Sequence, residues 1–337
     1  MKKSAVKSRA SKRADGRVVC IGLTPACQRT LVFDQFHEGE VNRAREIFVS
    51  PGGKSVNTGL ALALLGRRAV VTGLNGGDTG RMIQDYLAER GATCAFTRTP
   101  WPTRTCTTIL DGNKKCVTEL VEEAHAPTPA LLRDFEKRGR NLLRRASMCF
   151  ICGTLPPGVP ENFWARFAEA ARQAGVPVLI DSHGAPLWRA LAFQPLLAKM
   201  NVHELAKTVG AKCRDERTVI QAARKLTAAG ATWVLITDGA KPAILAGPDD
   251  DAWRITPPQI SDVRSPIGSG DCVNAGLVAA LLDGKNMPSA VCFGLACGTA
   301  NARTYRPSDF SPARARSLAS ACRVQIVRRS CRRTTVF

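Results

Sequence analysis

Apolar residues recur along the chain in two rhythms. The runs "RVVCIGL" (17–23), "AVVTGL" (69–74), "MCFIC" (148–152), "VPVLID" (176–181), "LLAKM" (196–200) and "TWVLIT" (232–237) are nearly continuous, and they predict strands buried on both faces. Between them, apolar positions return every three or four residues. This spacing predicts helices over "KSVNTGLALALLG" (54–66), 81–90, 128–145, 161–174, 215–229, 270–283 and 287–303. Strands alternating with helices of this length form βαβ units, so the expected architecture is one α/β domain on a mainly parallel sheet.

Two stretches break the rhythm. "RTLVF" (29–33) with "VNRAREIFV" (41–49), and the short segments within 92–121, alternate apolar and polar residues as half-exposed strands do. "DGNKK" (111–115) is one turn among them. They predict a small separate sheet from about 28–49 and 92–121, a lid over the crevice where open α/β sheets bind ligands.

Charge changes the picture at the ends only. The 337 residues carry a net charge of +20. Residues 1–17 hold seven Lys/Arg against Asp15, and residues 313–337 hold seven arginines and no acid. Most of the excess therefore sits in two expected solvated tails, 1–17 and 311–337, around a domain of 18–310. The mildly basic body suits anionic small molecules better than nucleic acid. No apolar run approaches the ~18–20 residues of a membrane span, and the basic N-terminus has no apolar signal core, so the expected location is the cytoplasm. The 13 cysteines are scattered. Cys149 and Cys152 make a CxxC, but inside an apolar run they read as core residues of a strand.

Four segments carry candidate chemistry. In "IGSGDCVNAG" (267–276), Gly268 and Gly270 allow a tight turn whose N–H groups, with Ser269 between them, open a helix and favour an anion. Asp271 inside that anion site is either a first-turn helix acid or a base that takes a proton from an attacking hydroxyl. "PGGKSVNTG" (51–59) lacks the Walker A spacing; either Gly52 and Gly53 bring the backbone close to a ligand that Lys54 and Asn57 face together, or they open a helix whose lysine is solvated. In "KMNVHEL" (199–205), Asn201 and Glu204 fit a capping box or an oxygen site for hydrated Mg²⁺. "ITDGAKPA" (236–243) ends a strand in a turn at Thr237 and Gly239, a nucleotide contact or a plain β-turn. His203 has no evident partner and reads as a packing or surface residue.

The order and spacing of these pieces resemble the ribokinase/PfkB family of sugar kinases across about 18–305. The matching motifs are "GGK..N", "G..GGD.G" at 73–80, "GTLPPG" (153–158), Asn201-x-x-Glu204, the turn at 237–239 and the late GxGD. "GLTPA", "VNRAREI", "PTRTCTTIL", "TELVEE" and "SPIGSGD" are most similar to its tagatose-6-phosphate kinase / 1-phosphofructokinase branch.

The resemblance implies a ribokinase-like three-layer α/β/α domain with a mainly parallel central sheet and a β-sheet lid. It implies ATP- and Mg²⁺-dependent transfer to a hydroxyl of a phosphorylated hexose. In this match Asp271 is the base, Gly268, Ser269 and Gly270 form the anion hole, and Asn201 and Glu204 organise Mg²⁺ and phosphates, Glu204 through water. Thr237, Gly239 and Asn301 fall at nucleotide contacts. Gln28, Gly53, Lys54, Asn57 and Arg104 fall on the acceptor side, and the lid offers a homodimer interface. Two departures concern the acceptor: "LTPACQ" puts Thr24 and Gln28 where the branch has Asn and Asp, and Ser55 replaces a glycine. They keep open a kinase for an unphosphorylated hexose or nucleoside. A different class is a non-catalytic sugar-sensing or nucleic-acid-binding relative.

Overall fold

The computed structural model describes residues 16–328. Its strands are β1 (Val18–Ile21), β2 (Ala26–Phe33), β3 (Glu46–Gly52), β4 (Ala69–Thr72), β5 (Leu74–Asn75), β6 (Thr93–Cys94), β7 (Thr97–Arg98), β8 (Thr105–Asp111), β9 (Cys116–Val121), β10 (Met148–Cys152), β11 (Val178–Asp181), β12 (Leu197–Asn201), β13 (Trp233–Asp238), β14 (Lys241–Ala246), β15 (Ala252–Thr256) and β16 (Arg323–Arg328). Its helices are α1 (Lys54–Leu64), α2 (Gly77–Glu89), α3 (Pro129–Leu143), α4 (Phe163–Gln173), α5 (Gly184–Leu191), α6 (Val202–Val209), α7 (Glu216–Ala228), α8 (Ser269–Leu282), α9 (Met287–Asn301) and α10 (Pro312–Ala319).

The central sheet has the order β16-β15-β14-β13-β12-β11-β10-β1-β4-β6. From β13 to β6 every pairing is parallel, and β14, β15 and β16 add antiparallel strands at one edge. Because side chains alternate along a strand, β1 supplies Val19 and Ile21 to one face and Val18 and Cys20 to the other. One face is covered by α3–α7, where Phe163 meets Phe167 edge to face at 5.5 Å. The other is covered by α1, α8, α9 and α10. Burying each such large side chain contributes about 1.5–3 kcal/mol. Helices α8 and α9 are apolar around their whole circumference and pack closely through small residues. A Cβ on Gly276 would stand 2.6 Å from the Cys297 sulfur. Cys149 and Cys152 lie three apart on β10 and face opposite layers, so they cannot share a metal or a disulfide.

The small sheet has the order β3-β2-β8-β9. Part of the expected lid belongs elsewhere: within 92–98, β6 pairs with β4 at the main sheet's edge and β7 pairs with β5. The C-terminal tail expected from 311 is structured as far as 328. Ser311 caps α10, Ala315 is fully buried, and β16 pairs with β15. The arginine count masked a helix whose small face packs on the core. Residues 1–15 and 329–337 of the two expected tails lie outside the described residues.

Candidate active site

The C-terminal ends of β11, β12 and β13 meet the N-termini of α1 and α8. Register alone brings charged groups together there. Asp181 ends β11 directly opposite Lys199 of β12, and Asn201 lies opposite Thr237 of β13.

Asp181 is fully buried and holds two cations: Lys54 Nζ at 2.5 Å on Oδ1 and Lys199 Nζ at 2.7 Å on Oδ2. Asn274 Nδ2, from α8, also donates to Oδ2 at 2.8 Å. Burial opposes the charge on Asp181, but the two lysines outweigh it and hold the carboxyl well below its usual range. Burial likewise opposes the charge on Lys54, yet Asp181 and then Glu204, whose Oε1 lies 3.4 Å away, hold its pKa above the ordinary lysine range.

Asp271 sits in the first turn of α8, 8 % exposed. Burial pushes its carboxyl up to about 6, against the hydrogen bond that Asn57 Nδ2 donates to Oδ2 at 2.7 Å. Its other oxygen has no hydrogen-bond partner among the described residues. Two carboxylates in one site are thus driven in opposite directions: Asp181 stays an anion as a counter-ion, and Asp271 is poised to gain and lose a proton near neutrality.

The turn before Asp271 is held from behind. Gly268 adopts φ 75°, and a Cβ there would stand 2.7 Å from Pro307 Cβ, so only glycine fits. The Ser269 amide donates to the Pro266 carbonyl and the Asp271 amide to Gly268, while the Gly270 amide has no backbone acceptor among the described residues. Asn301, expected at a nucleotide contact, is fully buried and braces this turn instead. It donates to the Ile267 carbonyl at 2.9 Å and to Ser269 Oγ at 3.1 Å, and accepts from the Ser308 amide at 2.8 Å.

On one side of the turn lies a cleft of about 380 Å³. Lys199, Asn201, Thr237, Gly239, Ser269 and Gly270 form its polar wall, and Ile260, Val263, Val273 and Leu295 its apolar one. Asn201 and Glu204 do form a capping box: Asn201 Oδ1 accepts from the Glu204 amide and Glu204 Oε2 from the Asn201 amide, both at 2.9 Å. The same pair faces the site, because Glu204 Oε1 is turned to Lys54.

On the other side lies the lid. Gly53 adopts φ 95°, and a Cβ there would stand 2.7 Å from the Thr24 carbonyl oxygen, so it permits the tight entry into α1. Gln28 is buried on β2 and donates to Thr108 Oγ1 at 2.9 Å and the Arg29 carbonyl at 3.2 Å. Ser55 is buried and donates to the Thr72 carbonyl at 3.3 Å, filling the space beside Gly22. Arg104 lines a small cavity with Thr24, Trp101 and His125. Its Nη1 donates to the Glu122 carbonyl at 3.0 Å, and its buried Nε has no partner among the described residues.

Asp181, Lys199 and Asn274 are site residues that the motif reading did not single out. The available signal was a charge inside two otherwise apolar buried strands.

The sequence as a whole matches the profile described as pfkB family carbohydrate kinase over residues 15–314. The chain belongs to the pfkB family of carbohydrate kinases. It is a phosphotransferase with an alcohol group as acceptor. Among curated relatives, the pfkB chain is 32% identical to 1-phosphofructokinase of Rhodobacter capsulatus over 80% of its own length and 85% of that protein. It is 31% identical to 1-phosphofructokinase of Xanthomonas campestris over 79% and 85%. A solved structure named a possible 1-phosphofructokinase from Thermotoga maritima shares the fold, with a TM-score of 0.85 over 93% of this chain and 100% of that one at 24% identity. The described residues contain no helix long and apolar enough to cross a membrane.

Proposed function

We propose that this pfkB kinase transfers the γ-phosphoryl group of ATP to a hydroxyl of a phosphorylated hexose of the fructose 1-phosphate, tagatose 6-phosphate or fructose 6-phosphate type. The observation that carries the reading is Asp271. Its carboxylate is buried at the head of α8 with one oxygen fixed by Asn57 and the other open, beside the Gly268–Gly270 turn. The acceptor hydroxyl gives its proton to that open oxygen as its own oxygen attacks the γ-phosphorus. The bond to the β-phosphate oxygen breaks and ADP leaves. The first-turn amides, Gly270 foremost, stabilise the transferring group, and Lys199 stands beside Gly270 to add positive charge.

ATP fits the cleft beyond the turn, its base against Val263 and Leu295 and its phosphates toward Asn201, Thr237 and Gly239. Mg²⁺ would be held through water by Glu204, a donor set that suits an ion that keeps its hydration shell. When bound, it neutralises phosphate charge.

Arg104, with its unpartnered Nε, is the residue for the acceptor's own phosphate. Lys54, also expected on the acceptor side, is held by Asp181 and Glu204. Gln28 and Thr24 line the acceptor side. The face of the lid turned from the site aligns Val49, Arg29, Thr107 and Leu120 in one row, with Ile47 55% and Leu120 54% exposed, which suits a second copy of the chain.

The test is ADP release on paired sugars with and without phosphate. The reading expects stimulation by a phosphohexose above its parent sugar. Equal or greater stimulation by the parent would favour a kinase of unphosphorylated hexoses. No stimulation by any sugar would leave a non-catalytic relative.

A further inference from the structure

One short loop touches the lid, the anion turn and the partner of the base. Residues 302–308 leave the end of α9. Arg303 is ion-paired to Asp262, and the amides of Arg264 and Ser265 donate to the Ala302 carbonyl at 2.8 and 3.2 Å, which ties the loop to the segment leading into the Gly268 turn. Tyr305 then stacks on Phe48 of β3, ring centroids 5.0 Å apart and planes 20° from parallel. Two guanidiniums flank the stack: Arg306 lies 4.9 Å from the Phe48 centroid and Arg264 5.4 Å from that of Tyr305. Pro307 packs against Gly268. Ser308, held at φ 61°, donates from Oγ to the Asn57 carbonyl at 2.8 Å and from its amide to Asn301.

Phe48 is on the inner face of the lid. It pairs with Thr30, which is buried, while its neighbours Ile47 and Val49 are exposed on the outer face. Phe48 and Tyr305 are themselves only half-buried, so the stack belongs to the seam between lid and body and not to either core.

We infer that Phe48 and Tyr305 are positioning residues that latch the lid to the body, and that the 302–308 loop makes closure of this latch coincide with a set anion turn and a fixed Asp271–Asn57 pair. The inference rests on the kinase reading above. Its chemical consequence is control of water. With the latch open, water can take the place of the acceptor hydroxyl: it attacks the γ-phosphorus, gives a proton to Asp271, and ADP and inorganic phosphate leave. With the latch closed, that water is excluded and the sugar hydroxyl is the nucleophile at hand.

The test compares ADP release from ATP and Mg²⁺ alone with release at saturating fructose 1-phosphate, fructose 6-phosphate or tagatose 6-phosphate. The proteins are wild type, Phe48→Leu, Tyr305→Leu and Phe48→Tyr. Aromatic and cation–π contacts of this kind shift an open–closed equilibrium by about tenfold. Each Leu variant should therefore raise the ratio of acceptor-independent to acceptor-dependent release by about tenfold, and Phe48→Tyr, which keeps the ring, should restore the wild-type ratio. The Leu variants keep apolar bulk at half-buried positions, and amide exchange in β3 and β8 of the ligand-free protein reads the latch directly: Tyr305→Leu should speed it. An unchanged ratio in both Leu variants overturns the latch while leaving the kinase reading intact. A wild type unstimulated by any of the three phosphosugars overturns both.

Discussion

Asn57, in the first turn of α1, donates its Nδ2 proton to Oδ2 of Asp271, in the first turn of α8, at 2.7 Å. The two helices enter the site from different parts of the chain, 214 residues apart. This one bond orients the carboxylate and leaves its second oxygen without a hydrogen-bond partner among the described residues, as the proposed role of a base requires.

The fold is strained to keep Asp271 charged. The displacement of its carboxyl to about 6 corresponds to about 3 kcal/mol of preference for the neutral form. A raised carboxyl pKa destabilises the folded state fully above about pH 6, and the penalty vanishes below the ordinary carboxylate range, about pH 4. Asp271→Asn should therefore melt a few degrees higher than wild type at pH 8, and the gap should close as the pH falls to 4.

The same shift sets an acid limb for catalysis. Wild-type kcat/KM should fall with one proton below about pH 6, as the base is lost. Asn57 donates to the charged form and so lowers the Asp271 pKa. Asn57→Leu should move the limb toward neutral pH, beyond any uniform loss of rate.

Asp181 works in the opposite sense. Its depressed pKa contributes stability that is present above about pH 4 and lost as the pH falls further. Asp181→Ala would leave Lys199 without its counter-ion and Lys54 with only the 3.4 Å contact to Glu204, at a cost of about 3–5 kcal/mol. Urea midpoints should record that loss at pH 7, and the variant should lose less of its remaining stability than wild type between pH 5 and pH 2.

Under the proposed function, Arg104 should separate the two acceptor classes. A charge-assisted contact to a phosphate predicts that Arg104→Gln raises KM for the phosphorylated hexose by about 10- to 100-fold. KM for the parent sugar should stay the same.

The glycine motifs were readable because their chemistry is local. A GxGD turn, a glycine before Lys54 and an N-x-x-E at a strand end each declare a backbone geometry from neighbouring residues. Asp181 and Lys199 make their pair only through the register of β11 on β12, which no local pattern reports, and each sits in a run that reads as buried apolar strand. Position in the motif series points Asn301 at the nucleotide, whereas full burial and bonds to Ile267, Ser269 and Ser308 turn its side chain to the anion turn. A proline at 242 in β14 and the arginines of β16 hide antiparallel strands that the sequence pattern does not declare. The parallel core, by contrast, was legible from its continuous apolar runs.

The most direct test of the central claim is phosphohexose-stimulated ADP release by wild type and Asp271→Asn, measured side by side at pH 8. Loss of a general base predicts that the variant, still folded and no less stable, falls by about 10²–10⁴-fold in kcat. A variant that retains most of the wild-type rate would contradict the assignment of Asp271 as the base.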